Sequence, residues 1–169
     1  MDPAISALVG AVIGASAGIL GTVLLMGHET RTRRKETKRD AYLDFIDAVD
    51  GYHLGLLDHS TQAEYFAQGV GSRQEVMAAV QTLKATRTAS TAAYRRLSLF
   101  GDSDTQAIGE ETLKLVIGFP EFDLNTWHTN PSQIQTDLQK ISDNADEVEA
   151  KIHAFLRSCR TELGFGKPK

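Results

Sequence analysis

Residues 4–27 run without a single charged, amide or histidine side chain, and every account of the fold has to place them. As a helix rising 1.5 Å per residue the run reaches about 36 Å, against a hydrocarbon core of about 30 Å. The rest of a 169-residue chain is too small to bury such a segment on all sides. The run is therefore expected to be a transmembrane helix. A cleaved signal peptide is the competing reading, with Ala15, Ser16 and Ala17 as a small-residue cut site. No basic residue precedes the run, however, and Ile19, Leu20, Val23, Leu24 and Leu25 prolong it past that point. An uncleaved anchor is expected.

The flanks of the run are unequal. All 18 Lys and Arg residues fall at or after Arg31, and Arg31, Arg33, Arg34, Lys35, Lys38 and Arg39 crowd the C-terminal side. Such an excess marks the cytoplasmic end of a span, so the N-terminus is expected outside and the remainder in the cytoplasm. Close to an anionic leaflet each of the six contributes about 1 kcal/mol, screened by salt. These residues are expected to touch lipid headgroups.

Within the run, Gly10, Gly14 and Gly18 form GxxxGxxxG, and Gly21 extends the same face with Ala7. Glycines at this spacing leave a groove into which a second helix backbone packs closely. Self-association through Gly10, Gly14, Gly18 and Gly21 is one expectation, and a glycine-rich span without a dedicated partner is the other.

From residue 40 onward 12 basic residues face 19 acidic ones, which disfavours nucleic acid as a partner. Apolar residues here recur every three to four positions, so the chain is expected to be all-α. Its N-terminal transmembrane helix would continue into an antiparallel four-helix-type bundle. The expected organisation is an anchor over 1–27, a basic juxtamembrane helix over 28–40 and a cytoplasmic bundle over 41–169.

Tyr42, Phe45, Ile46, Val49, Tyr52 and Leu56 mark the inner face of a first helix that Gly69 and Gly71 should stop. Ser72 to Glu75 reads as a capping box opening a second helix, with Val76, Val80, Leu83, Ser90, Tyr94 and Leu97 inward and Gly101 at its end. Ser103 to Gln106 reads as another box, before Ile108, Leu113, Leu115 and Val116. Asn130 and Pro131 should open the last helix. There Ile134, Leu138, Ile141, Ala145, Val148, Ile152, Phe155, Cys159 and Glu162/Leu163 keep a 4-3-4-3 spacing. That seam suits a bundle edge or a coiled coil with another chain.

Chemistry-bearing patterns are sparse. A single cysteine, Cys159, excludes an intramolecular disulfide framework and a multi-cysteine zinc module. Asp40, Asp44, Asp47 and Asp50 recur on one helix but lack the inward Glu-x-x-His pairs of bundle metal sites, so they read as a solvated face. The five histidines form no HExxH or HxH motif, and no phosphate loop or dinucleotide glycine pattern occurs. No catalytic residue, metal or cofactor is expected. The segment from Phe119 to His128 is long for a bundle connection and holds the sole tryptophan. Its aromatics either close one end of the bundle or, at Phe122 and Trp127, present a partner surface.

At Ala41-Tyr42-Leu43-Asp44-Phe45, at 94–101 (YRRLSLFG) and at 155–164 (FLRSCRTELG), the chain resembles a broad group of bacterial, actinobacterial-type single-pass membrane proteins with a cytoplasmic helical bundle. The resemblance implies that architecture and brings no catalytic residues. The function expected is a membrane-anchored helical scaffold that self-associates or binds a membrane or cytoplasmic protein partner, without catalysis. The alternatives are a phage-type lysis or exclusion factor and a small-ligand sensor with a bundle cavity.

Overall fold

A computed structural model describes the backbone of residues 3–119, 127 and 131–163, and the side chains of 32–119, 127 and 133–163. Its helices are α1 (Pro3–Ala67), α2 (Arg73–Phe100), α3 (Ser103–Gly118) and α4 (Pro131–Leu163), and no strand occurs among the described residues. The chain is all-α, as its periodicity implies. It divides inside α1 into two compact units, Met1–Thr37 and Lys38–Lys169.

In the first unit residues 3–37 are helical, and Thr37 Oγ1 donates to the Arg33 carbonyl at 2.9 Å. Among the described residues no helix is long and apolar enough to cross a membrane. The expected span at 4–27, with Gly10, Gly14, Gly18 and Gly21, and Arg31 beside it, lies outside the described side chains.

The second unit is punctuated at its turns by local chemistry. Gly69 adopts φ +73°, a conformation that only glycine takes without steric cost. There the Gly69 and Val70 amides donate back to the Phe66 and Tyr65 carbonyls at 3.0 Å, closing α1. Ser72 and Glu75 form the expected capping box, with the Ser72 amide donating to Glu75 Oε2 at 2.7 Å and the Glu75 amide to Ser72 Oγ at 3.2 Å. The second box is not formed. Asp102 caps α3 instead, its carboxylate accepting the Thr105 amide at 2.9 Å. Ser103 is already helical, and Gln106 Nε2 donates to the carbonyls of Ser98 and Gly101. The side chain one residue earlier carries a full charge at the positive end of the helix, a better acceptor than a hydroxyl. Pro131 opens α4 at its first position as the sequence implies, while Asn130 lies outside the described residues.

Side-chain pairs fix the register of the second unit. Asp44 pairs with Arg96, and Ser90 Oγ donates to the Ala48 carbonyl at 3.0 Å, so α1 and α2 run antiparallel. Tyr42 meets Phe155 and Tyr52 meets Asn144, so α1 and α4 do too. Thr105 bonds Ser158, and Lys151 bonds Glu111 at 2.6 Å, which sets α3 antiparallel to α4. Helix α3 also lies close on α2, where a Cβ on Gly109 would come within 2.6 Å of Leu97 Cδ2. Each helix therefore touches both of its chain neighbours, and the first touches the last. This is an up-down-up-down bundle.

Two apolar clusters fill it. The larger holds Tyr42, Phe45, Val49, Tyr52 and Leu56 from α1, Leu83 and Leu97 from α2, Val116 from α3, and Ile141, Val148 and Phe155 from α4. At the other end, Ala63, Val76, Trp127 and Ile134 form a second cluster, with Phe66 and Leu138 packed against it. Every apolar seam position named for α4 is buried or packed on these clusters. The seam is therefore an edge of this bundle.

Candidate functional site

The basic collar is the first expected site. Arg33, Arg34, Lys35 and Arg39 are exposed, and Arg39 reaches Asp40 at 3.5 Å. Lys38 departs from the expected set, because its ammonium pairs with Glu162 on α4 and lies 5.8 Å from the Tyr42 ring centre. Lys38 thus joins α1 to α4 within the bundle.

Glu162 gathers three elements. Its carboxylate forms an ion pair with Lys38 and accepts from the Tyr42 hydroxyl, both on α1, and from Thr105 Oγ1 on α3 at 3.0 Å. Thr105 also bonds Ser158 Oγ at 2.9 Å. Burial, and secondarily the charge of Asp102, pushes the Tyr42 hydroxyl up to about 12. Burial likewise pushes the neighbouring Cys159 thiol up to about 12. At neutral pH both are protonated, which suits a donor to Glu162 and a packing thiol respectively.

The second polar cluster lies at the opposite end of the unit, and no sequence pattern announces it. Trp127 is 1% exposed, and its Nε1–H donates to Asp137 Oδ2 at 2.8 Å. Asp137 Oδ1 accepts from Gln133 Nε2 at 2.9 Å and from Lys140 Nζ at 3.2 Å. Burial raises the carboxyl's affinity for a proton, yet the three donors outweigh it and hold Asp137 below its usual range. The indole face stacks on His59, ring centres 5.9 Å apart and nearly parallel. Trp127 thus faces inward and closes the end of the bundle, which removes it from the expected partner surface. An indole offers a large apolar area and one donor, and this niche satisfies both. Phe122 lies outside the described residues.

His59 is fully buried, and desolvation lowers its proton affinity against a small opposing effect of Asp58. The unfolded chain then binds more protons than the folded one once the pH falls below about 6.5. Stability should decline on acidification from about pH 6.5 toward the depressed folded value and be unaffected above it. Denaturant melts of the full chain at several pH values check this, with His59→Phe flattening the dependence between about pH 7 and 5.5. Equal slopes for the two proteins would remove His59 from the account.

The remaining candidates are dispersed. Asp44, Asp47 and Asp50 are exposed and Asp40 is half-buried. Among the described residues no group of three His, Cys, Asp or Glu side chains could hold a metal ion. His53 is half-buried, and His153 is exposed beside Glu149 at 3.7 Å. A groove of about 390 Å³ runs on the outside between α3 and α4, lined by Lys114, Phe119, Lys140, Asp143 and Glu147 among others. It lies open to solvent, unlike the enclosed bundle cavity that a ligand sensor would use.

The outward face of α1 carries exposed apolar residues without a packing role. Leu43, Leu54, Leu57 and Tyr65 are 49%, 58%, 45% and 47% exposed, opposite the buried row Phe45, Val49, Tyr52 and Leu56. Scattered apolar residues on a surface are ordinary, whereas a row on one helix face is the usual form of a docking site. Compared with protein-family models, curated proteins and solved structures, the chain matches none.

Proposed function

We propose that the protein is a membrane-anchored helical scaffold, acting through self-association or partner binding rather than catalysis. One observation carries the reading. A charge-free run and a collar of six basic residues occupy the same helix, α1, whose later turns supply the core of the bundle. In this reading residues 4–27 span the bilayer, Arg31, Arg33, Arg34, Lys35 and Arg39 meet headgroups, and the bundle is held in the cytoplasm.

Cysteine accessibility tests the topology. An Asp2→Cys variant on a Cys159→Ser background should react with an impermeant maleimide in intact cells, and labelling only after permeabilisation would overturn the orientation. For the glycine face, Gly14→Ile should lower dimerisation in a membrane reporter assay about tenfold, since a branched side chain separates backbones that otherwise touch. Unchanged dimerisation would remove self-association through that face.

A further inference from the structure

We propose that the outward face of α1 from Leu43 to Tyr65 docks a cationic amphipathic helix of a partner protein. This rests on the interaction reading above and names the chemistry of the partner.

Residues 43, 47, 50, 54, 57, 61 and 65 follow one another at three- or four-residue steps, which places them in one line along the helix. All seven are exposed. Leu54, Leu57 and Tyr65 give an apolar ridge of the kind that helix-on-helix recognition uses, and Leu43 is a further anchor beyond Asp47 and Asp50.

Charge selects the occupant. Between Arg39 and Arg73 the chain has no Lys or Arg but six acids, Asp40, Asp44, Asp47, Asp50, Asp58 and Glu64. Asp44, on the shoulder toward α2, is paired with Arg96. Asp47 and Asp50, within the line itself, have no ion pair among the described residues. Asp58 and Glu64 accept from the neutral amides of Gln62 and Gln68, which leaves their charge in place. A second copy laid face to face would set Asp47 and Asp50 against the same acids, and an anionic lipid surface or nucleic acid would be repelled. An apolar ridge flanked by Lys or Arg meets both the leucines and the carboxylates.

The probe is a fluorescein-labelled helical peptide of roughly 18 residues, about five turns, with a leucine ridge and lysine flanks. A peptide with glutamate in place of lysine is the control. Each is titrated by anisotropy against the full chain in zwitterionic nanodiscs, with empty nanodiscs subtracted. The lysine peptide should bind and the glutamate peptide should not. Leu54→Ser/Leu57→Ser and Asp47→Asn/Asp50→Asn should each weaken binding about tenfold or more. Matched changes elsewhere, Leu99→Ser and Asp146→Asn/Glu147→Gln, should leave it unchanged, and circular dichroism confirms folding of every variant. Equal losses in the matched variants, or no loss in the α1 variants, would overturn the proposal. So would a change of oligomeric state in the α1 variants without peptide binding, which would make the occupant a second copy. Failure here leaves the anchor and the glycine face standing, because the labelling and Gly14→Ile assays read the first unit alone.

Discussion

Phe155→Ala should lower the unfolding free energy of the bundle by about 3–5 kcal/mol, the range for removing a fully buried aromatic ring. Phe155 is 1% exposed and joins α4 to α1 through two rings. Tyr42 meets it edge-on at 5.9 Å, and Phe45 lies 5.0 Å away at a tilt. Truncation removes those contacts and leaves a cavity beneath the Tyr42–Glu162 hydrogen bond, where close collapse would pull a satisfied polar pair out of register. A domain of this size has roughly 5–15 kcal/mol in total, so the loss is a large fraction of it. Denaturant unfolding of the full chain, followed by circular dichroism, measures the effect. Phe155→Leu should cost markedly less, because most of the volume remains. A loss below about 1 kcal/mol for the alanine variant would show that the α1–α4 seam is not the centre of the core.

The seam containing Phe155 was legible because α4 is long, strongly periodic and apolar on one side only. Helix α3 was read less well for a physical reason. Leu113 and Val116 face inward as expected, but so do Thr105, Gly109 and Thr112, which a search for large apolar residues passes over. Close approach to α2 demands small side chains there, and the 2.6 Å that would separate a Gly109 Cβ from Leu97 is the measure of it. Asp137 was missed for a related reason. It lies three residues after Ile134 and four before Ile141, a position the period allows inward, but its charge argued for solvent. The indole brought to it from outside α4 joins Gln133 and Lys140 in making burial tolerable, and no local pattern announces that pairing. The cap falls at Asp102, one residue before the serine, because both residue types qualify as caps and the charged carboxylate is the better acceptor at the helix N-terminus. The basic collar was visible as a charge cluster, while the inward turn of Lys38 depends on Glu162, more than a hundred positions away.

Trp127→Ala should destabilise the opposite end of the bundle by about 3–5 kcal/mol, again as a buried aromatic removed from its niche. Two smaller changes separate the causes. Trp127→Phe keeps an aromatic ring against His59 but removes the Nε1–H that Asp137 accepts, and should cost about 1.5–3 kcal/mol for a hydrogen bond to a charged group. Asp137→Ala leaves the buried indole N–H without its acceptor and releases Gln133 and Lys140 as well. Because Trp127 is the sole tryptophan, its emission reports this end of the molecule alone. In Asp137→Ala the emission should shift to the red at denaturant concentrations where circular dichroism still shows intact helix. Coincident transitions by the two probes would mean that the niche unfolds only with the whole bundle, and that Asp137 does not hold this end closed independently.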